Sequence, residues 1–262
     1  MSDGRAQPGS TQATANRQTS ASASPTSLQN WQAVWNRKGA DPAVNLRGES
    51  LLSQLLVVDG FTSAFGHMGD TQIWLDYVAA QARRLDVCPG DTLFEVGCGG
   101  GAFLYPFWSA GHAVAGCDYA ANLVTIAQQA MPDAKLHIAE AIELPAAARA
   151  DVVVSNGVFL YFPSEAYAAL VLRKMVAMAQ KSLGIFDVCD LARRDEAIAA
   201  RKAVLGEAEY AERYRGLDQL YLERAWFGHI LADLPVRVEV DDQAMQGYGN
   251  AAYRFNVYIH RM

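Results

Sequence analysis

"TLFEVGCGGGAF", Thr92–Phe103, is the stretch on which the reading of this chain turns. An apolar, strand-like run, "TLFEV", leads straight into Gly97, Gly99, Gly100 and Gly101. Glycine loses more backbone freedom on folding than any other residue, so such a cluster must serve a sharp turn or a close approach. The run also holds an acid, Glu95, where an apolar strand has no structural need of one.

A strand that turns through G-x-G-x-G into a helix is a nucleotide-binding turn, in which the glycines let a ligand reach the backbone. "GCGGGA" also fits the dinucleotide form G-x-G-x-x-A. By itself the turn therefore admits a dinucleotide, an adenosyl sulfonium, or no ligand at all. The acids downstream are more informative. Asp118 ends the run "HAVAGCD", and Glu140 follows "AKLHIA" inside "AEAIELP". With Glu95 they place a carboxylate after each of three successive strands, along the edge where open α/β sheets bind ligands. A diphosphate would be repelled there. A sulfonium carrying an ammonium group would be attracted.

From Asp91 onward short apolar runs alternate with helix-period segments, the texture of a parallel sheet covered on both faces. The later strands are "DVVVS", "SLGIFDVCD", "VRVEVDD" and "YRFNVYIHR", the last two forming an antiparallel pair. Helices are expected at Gly101–Ala110, Ala120–Met131 and Ser164–Gln180, the first starting late or kinked at Pro106. Residues 1–27, rich in Ser, Thr, Ala and Gln, read as a disordered tail, residues 28–88 as a helical lid or acceptor segment, and residues 89–262 as the core, with a helical insertion at about 191–222.

The motifs together resemble the class I S-adenosylmethionine-dependent methyltransferases, from about Asp91 to the C-terminus. "EVGCGGG" is similar to that family's first motif, "GCDYA" to its second, "AEAIELP" to the segment after strand three, and "SNGVFLYF" to the segment after strand four. The resemblance implies an α/β, Rossmann-like fold: a seven-stranded, mostly parallel sheet in the order 3-2-1-4-5-7-6, helices on both faces, and an N-terminal helical lid. It implies S-adenosyl-L-methionine as cofactor, bound by Glu95, Gly97, Cys98, Gly99, Gly101, Asp118, Tyr119, Glu140, Ala141 and Asn156. Asp118 would hold the ribose, and Glu140 with the Ala141 N–H the adenine. Glu140 stands where the family usually has Asp, one methylene shorter.

The bulk composition excludes several classes. The net charge of −6 argues against a nucleic-acid partner. No apolar run approaches the ~18 residues of a membrane span. The four cysteines have no C-x-x-C pair, and the five histidines have no H-x-x-x-H spacing, so no metal site and a cytoplasmic, reduced protein are expected. "SNGVF" lacks the N/D-P-P-Y/F/W motif of adenine or glutamine amino-methylating enzymes, and no cysteine follows a proline as cytosine-C5 enzymes require. A small-molecule acceptor remains, with O-methylation favoured over N-methylation on the family's habits, in a monomer or homodimer. The alternatives are an NAD-dependent oxidoreductase and a non-catalytic nucleotide-binding module.

A proton acceptor is needed only for a hydroxyl or protonated amine, and His67 in "FTSAFGHMGD" and His229 in "RAWFGHI" are the candidates. Trp35, Phe65, Phe159, Tyr161, Tyr248, Asn250 and Arg254 are expected to line the acceptor pocket. Arg254 either forks onto an acidic acceptor or pins the final hairpin through Asp241 or Asp242.

Overall fold

The computed structural model describes residues 1, 27–38, 51–61, 71–145 and 147–262. Its seven strands are β1 (Leu93–Val96), β2 (Val114–Asp118), β3 (Lys135–Ile138), β4 (Ala150–Asn156), β5 (Ala179–Cys189), β6 (Val236–Asp242) and β7 (Arg254–Arg261). They form one sheet in the order β3-β2-β1-β4-β5-β7-β6. β1 to β5 pair in parallel, and β7 is antiparallel to both β5 and β6. This is the order that the sequence motifs imply.

The described helices are α1 (Ser27–Arg37), α2 (Leu51–Val58), α3 (Thr71–Arg84), α4 (Tyr105–Ser109), α5 (Ala121–Ala130), α6 (Glu165–Met178), α7 (Arg194–Leu205), α8 (Glu207–Arg213) and α9 (Trp226–Ile230). Successive strand residues face opposite sides, and the core divides accordingly. Val152 and Val154 of β4 pack with Leu55 of α2, Trp74 of α3, Phe107 of α4 and Leu123 of α5. Val153, with Phe255, Val257 and Ile259 of β7, packs with Val171 and Met175 of α6 and Phe227 of α9. The strands are apolar on both faces because helices cover both.

The predicted helix bounds need two corrections. α4 begins only at Tyr105, because Pro106 has no N–H to give and suits a first turn. α6 stops at Met178, because the chain passes at Ala179 directly into β5. No helix among the described residues is long and apolar enough to cross a membrane.

Candidate functional site

A cavity of about 280 Å³ opens at the carboxyl ends of β1, β2, β4 and β5, under α1 and beside α7. The glycine turn forms one wall. Gly97 and Cys98 donate their N–H groups to the Cys117 carbonyl at 2.7 and 3.0 Å, which ties the turn to β2. Gly97, at φ +77°, could not carry a side chain, since a Cβ would lie 2.4 Å from Val158 Cγ2. Gly101 has a different task from the one expected of it. It does not line the cavity, and a Cβ there would meet Met131 Cε at 2.6 Å, so its smallness lets the turn pack on α5.

The acids expected at the strand ends share this cavity. Glu95 is 2% exposed, and its Oε2 is buried with no hydrogen-bond partner among the described residues. Burial, reinforced by Asp59 and Asp118, holds its carboxyl well above the usual range. Asp118 accepts from Gly99 N–H at 3.0 Å and Ala120 N–H at 2.8 Å. Burial nevertheless raises its pKa against those bonds. Glu140 Oε1 accepts from the Gln32 amide of α1 at 2.8 Å. Cys98, Gly99, Tyr119, Ala141 and Asn156 also line the cavity. The Asn156 Oδ1 accepts the Tyr77 hydroxyl at 3.2 Å.

Asp59, at the end of α2, went unnoticed in the sequence. Its carboxylate accepts from Gly100 N–H at 2.6 Å and Ala102 N–H at 3.0 Å, so the chain leaving α2 places an acid in the glycine turn. Burial pushes its pKa up to about 7. An acid whose folded pKa lies above its unfolded value near ~4 takes up a proton on folding. Its contribution to stability is therefore fully present below pH ~4 and lost as pH rises towards about 7. The ligand-free protein should melt at falling temperature as pH rises over that window. Asp59→Asn, which cannot ionise, should flatten the slope, and equal slopes in calorimetric melts of the two proteins would contradict this.

Trp35, Tyr161, Tyr248, Asn250 and Arg254 line the same cavity. Tyr161 meets Trp31 and Trp35 at ring centroid distances of 4.7 and 5.6 Å. Arg254 is buried at 4% exposure and does not pin the hairpin through Asp241 or Asp242. Arg84 holds Asp241 at 2.6 Å and Arg224 holds Asp242 at 2.7 Å. Arg254 instead lies 3.8 Å from Asp187 Oδ2 and donates to the Asp187 carbonyl at 3.2 Å.

Asp187 is the second acid that the sequence reading passed over. It sits in β5 at φ +59°, where the register to β7 shifts, and lines the cavity. A non-glycine residue in this region is uncommon, although Asp tolerates it better than most. Its Oδ2 accepts the Tyr248 hydroxyl at 2.9 Å, while Oδ1 is buried with no partner among the described residues.

Besides Gly101, two of the expected site residues do not reach the cavity. Phe159 is buried in the core on the α6 face, against Phe162 and Phe227. His229 is exposed on α9, away from the cavity wall. His67 and Phe65 lie outside the described residues. Among the described residues no group of His, Cys, Asp and Glu could hold a metal ion, and Cys98, Cys117 and Cys189 are buried free thiols.

Residues 94–181 match the family described as a methyltransferase domain. No curated protein matches the chain in sequence. Among solved structures, magnesium protoporphyrin IX methyltransferase (ChlM) from Synechocystis PCC 6803 with bound SAM superposes with a TM-score of 0.57 at 16% identity, covering 92% of this chain and 100% of that one. Geranyl diphosphate C-methyltransferase from Streptomyces coelicolor A3(2) gives 0.58 at 11% identity, covering 92% and 99%. N-methyltransferase NodS from Bradyrhizobium japonicum WM9 gives 0.52 at 16%, covering 74% and 99%. At these identities the likeness is one of fold. Residues 94–181 thus match a methyltransferase domain, and the sheet order is that of the class I, Rossmann-like methyltransferase fold.

Proposed function

We propose that this S-adenosylmethionine-dependent methyltransferase passes its methyl group to a small-molecule acceptor held in the cavity between the sheet edge and α1, with O-methylation favoured over N-methylation. The observation that carries the reading is the carboxylate wall: Glu95, Asp118 and Glu140 line one cavity. The residues present fit the donor. Glu95, buried with an orphaned oxygen, suits a cationic methionine end. Asp118 has carboxylate lone pairs left for ribose hydroxyls beyond its two backbone bonds. Glu140 and the Ala141 N–H, both in the cavity wall, would read the adenine edge.

When bound, S-adenosylmethionine supplies an electrophilic methyl carbon. The chain's own part is alignment and exclusion of water, worth up to about 7–11 kcal/mol in well-oriented cases. We assign the acceptor's proton to Asp187, a cavity-lining acid whose buried Oδ1 has no partner among the described residues, in place of His229. His67 remains a second candidate. In this reading α1 is a lid that the insertion latches. The Trp31 indole N–H donates to the Asp218 carbonyl at 2.8 Å and Asn30 to the Gly216 carbonyl at 2.8 Å.

Two experiments follow. A screen of hydroxylated and amino metabolites, read by S-adenosylhomocysteine formation, should give turnover with at least one hydroxyl acceptor. Turnover with amines alone would remove the preference for oxygen. Trp31→Ala removes the latch bond and the contact to Tyr161, and should lower kcat about tenfold or more while donor affinity changes little. An unchanged kcat would remove the lid.

A further inference from the structure

Resting on the reading of the cavity as a methyl-transfer site, we infer that its acceptor end is built for a small molecule bearing an oxyanion, a carboxylate or phosphate, received by Arg201 of α7 and Arg254 of β7.

Arg201 is buried at 4% exposure, yet it has no carboxylate partner among the described residues. Its one hydrogen bond there is a weak one to the Tyr221 hydroxyl at 3.3 Å, and its guanidinium lies 5.8 Å from the Tyr214 ring centroid. Other basic residues of this region are balanced. Lys202 pairs with Glu207 at 2.9 Å, and Arg224 with Asp190 at 2.8 Å. A guanidinium cannot shed its proton to escape burial, so a buried one without a counterion calls for an anion from elsewhere. Arg201 lines the cavity, which is where that anion can enter.

Arg254 faces the same place. Among the described residues its buried Nε has no partner, and Asp187 is its one carboxylate, 3.8 Å away and shared with Tyr248. Arg254 pairs with Cys189 across β5 and β7, Cys189 packs with Tyr221, and Tyr221 takes the Arg201 hydrogen bond, which brings the two arginines to one part of the wall. Two arginines with one carboxylate give their part of the wall a net positive charge, while Glu95, Asp118 and Glu140 make another part of it acidic. A ligand carrying an oxyanion would satisfy the arginine forks, with its apolar body against Trp31, Trp35 and Tyr161. The insertion that carries Arg201 would then be what selects for charge.

The test is calorimetric titration of the full chain loaded with S-adenosylhomocysteine, using benzoate, phenyl phosphate and neutral benzamide as probes. At least one anion should bind tenfold or more tightly than benzamide. Arg201→Gln should erase that preference while S-adenosylhomocysteine affinity stays within about twofold. Arg254→Gln, checked for folding by its melting curve, should weaken the same probe. Equal binding of benzamide and both anions, or no binding of any probe, overturns the inference and leaves the methyltransferase reading standing. An anion preference that survives in both variants also overturns it, since the anion then sits elsewhere. Failure of the wild-type chain to bind S-adenosylhomocysteine removes both readings together.

Discussion

Asp118→Ala is expected to weaken S-adenosylmethionine binding at least tenfold. Hydrogen bonds to a charged group are worth about 1.5–3 kcal/mol each, and a ribose diol would make two to this carboxylate. Water filling the truncated site offsets part of that loss, and each factor of ten in affinity is about 1.4 kcal/mol. The same substitution releases Gly99 N–H and Ala120 N–H, so the turn from β1 and the start of α5 lose a shared anchor. Calorimetry on a variant whose far-ultraviolet spectrum matches wild type separates the effects. Unchanged donor affinity would take Asp118 out of the site.

Gly99→Val is expected to abolish donor binding. Gly99 has φ +51°, a region costly for a β-branched residue, and its Cβ would lie 2.5 Å from Asp59 Oδ1. The valine would therefore push Asp59 and the end of α2 out of the glycine turn, as well as narrowing the approach to it. Backbone strain of this kind costs about 1–3 kcal/mol, which a domain of this size can survive. The variant should melt a few degrees lower and show no calorimetric heat with S-adenosylhomocysteine. Normal binding would make Gly99 a structural turn residue only.

The parts of this site that could be read from sequence are those attached to strand ends. A glycine turn after β1 and acids after β1, β2 and β3 have fixed positions relative to the sheet, so their local context is enough to bring them together. Asp59, Asp187 and Arg201 were harder to find, each for a different reason. Asp59 follows α2 in "VVDGF", where an acid before glycine looks like the end of a helix. Asp187 interrupts the apolar strand "GIFDVC". The same oddity exposed Glu95, and it is the signal that could have found Asp187. Arg201 belongs to the pair Arg201-Lys202, which reads as a solvated helix face, and Lys202 does point to its exposed partner Glu207. Only tertiary packing turns Arg201 inward. Arg254 lines the cavity, but its partner, Asp187, lies far off in sequence.

The carboxylate wall of Glu95, Asp118 and Glu140 is expected to select a cationic adenosyl ligand over a dinucleotide. Calorimetric titration of the ligand-free chain with S-adenosylmethionine and, separately, with NAD tests it most directly. Saturable binding of S-adenosylmethionine is expected, with no heat from NAD at the same concentration. Binding of NAD, or of neither ligand, would contradict it.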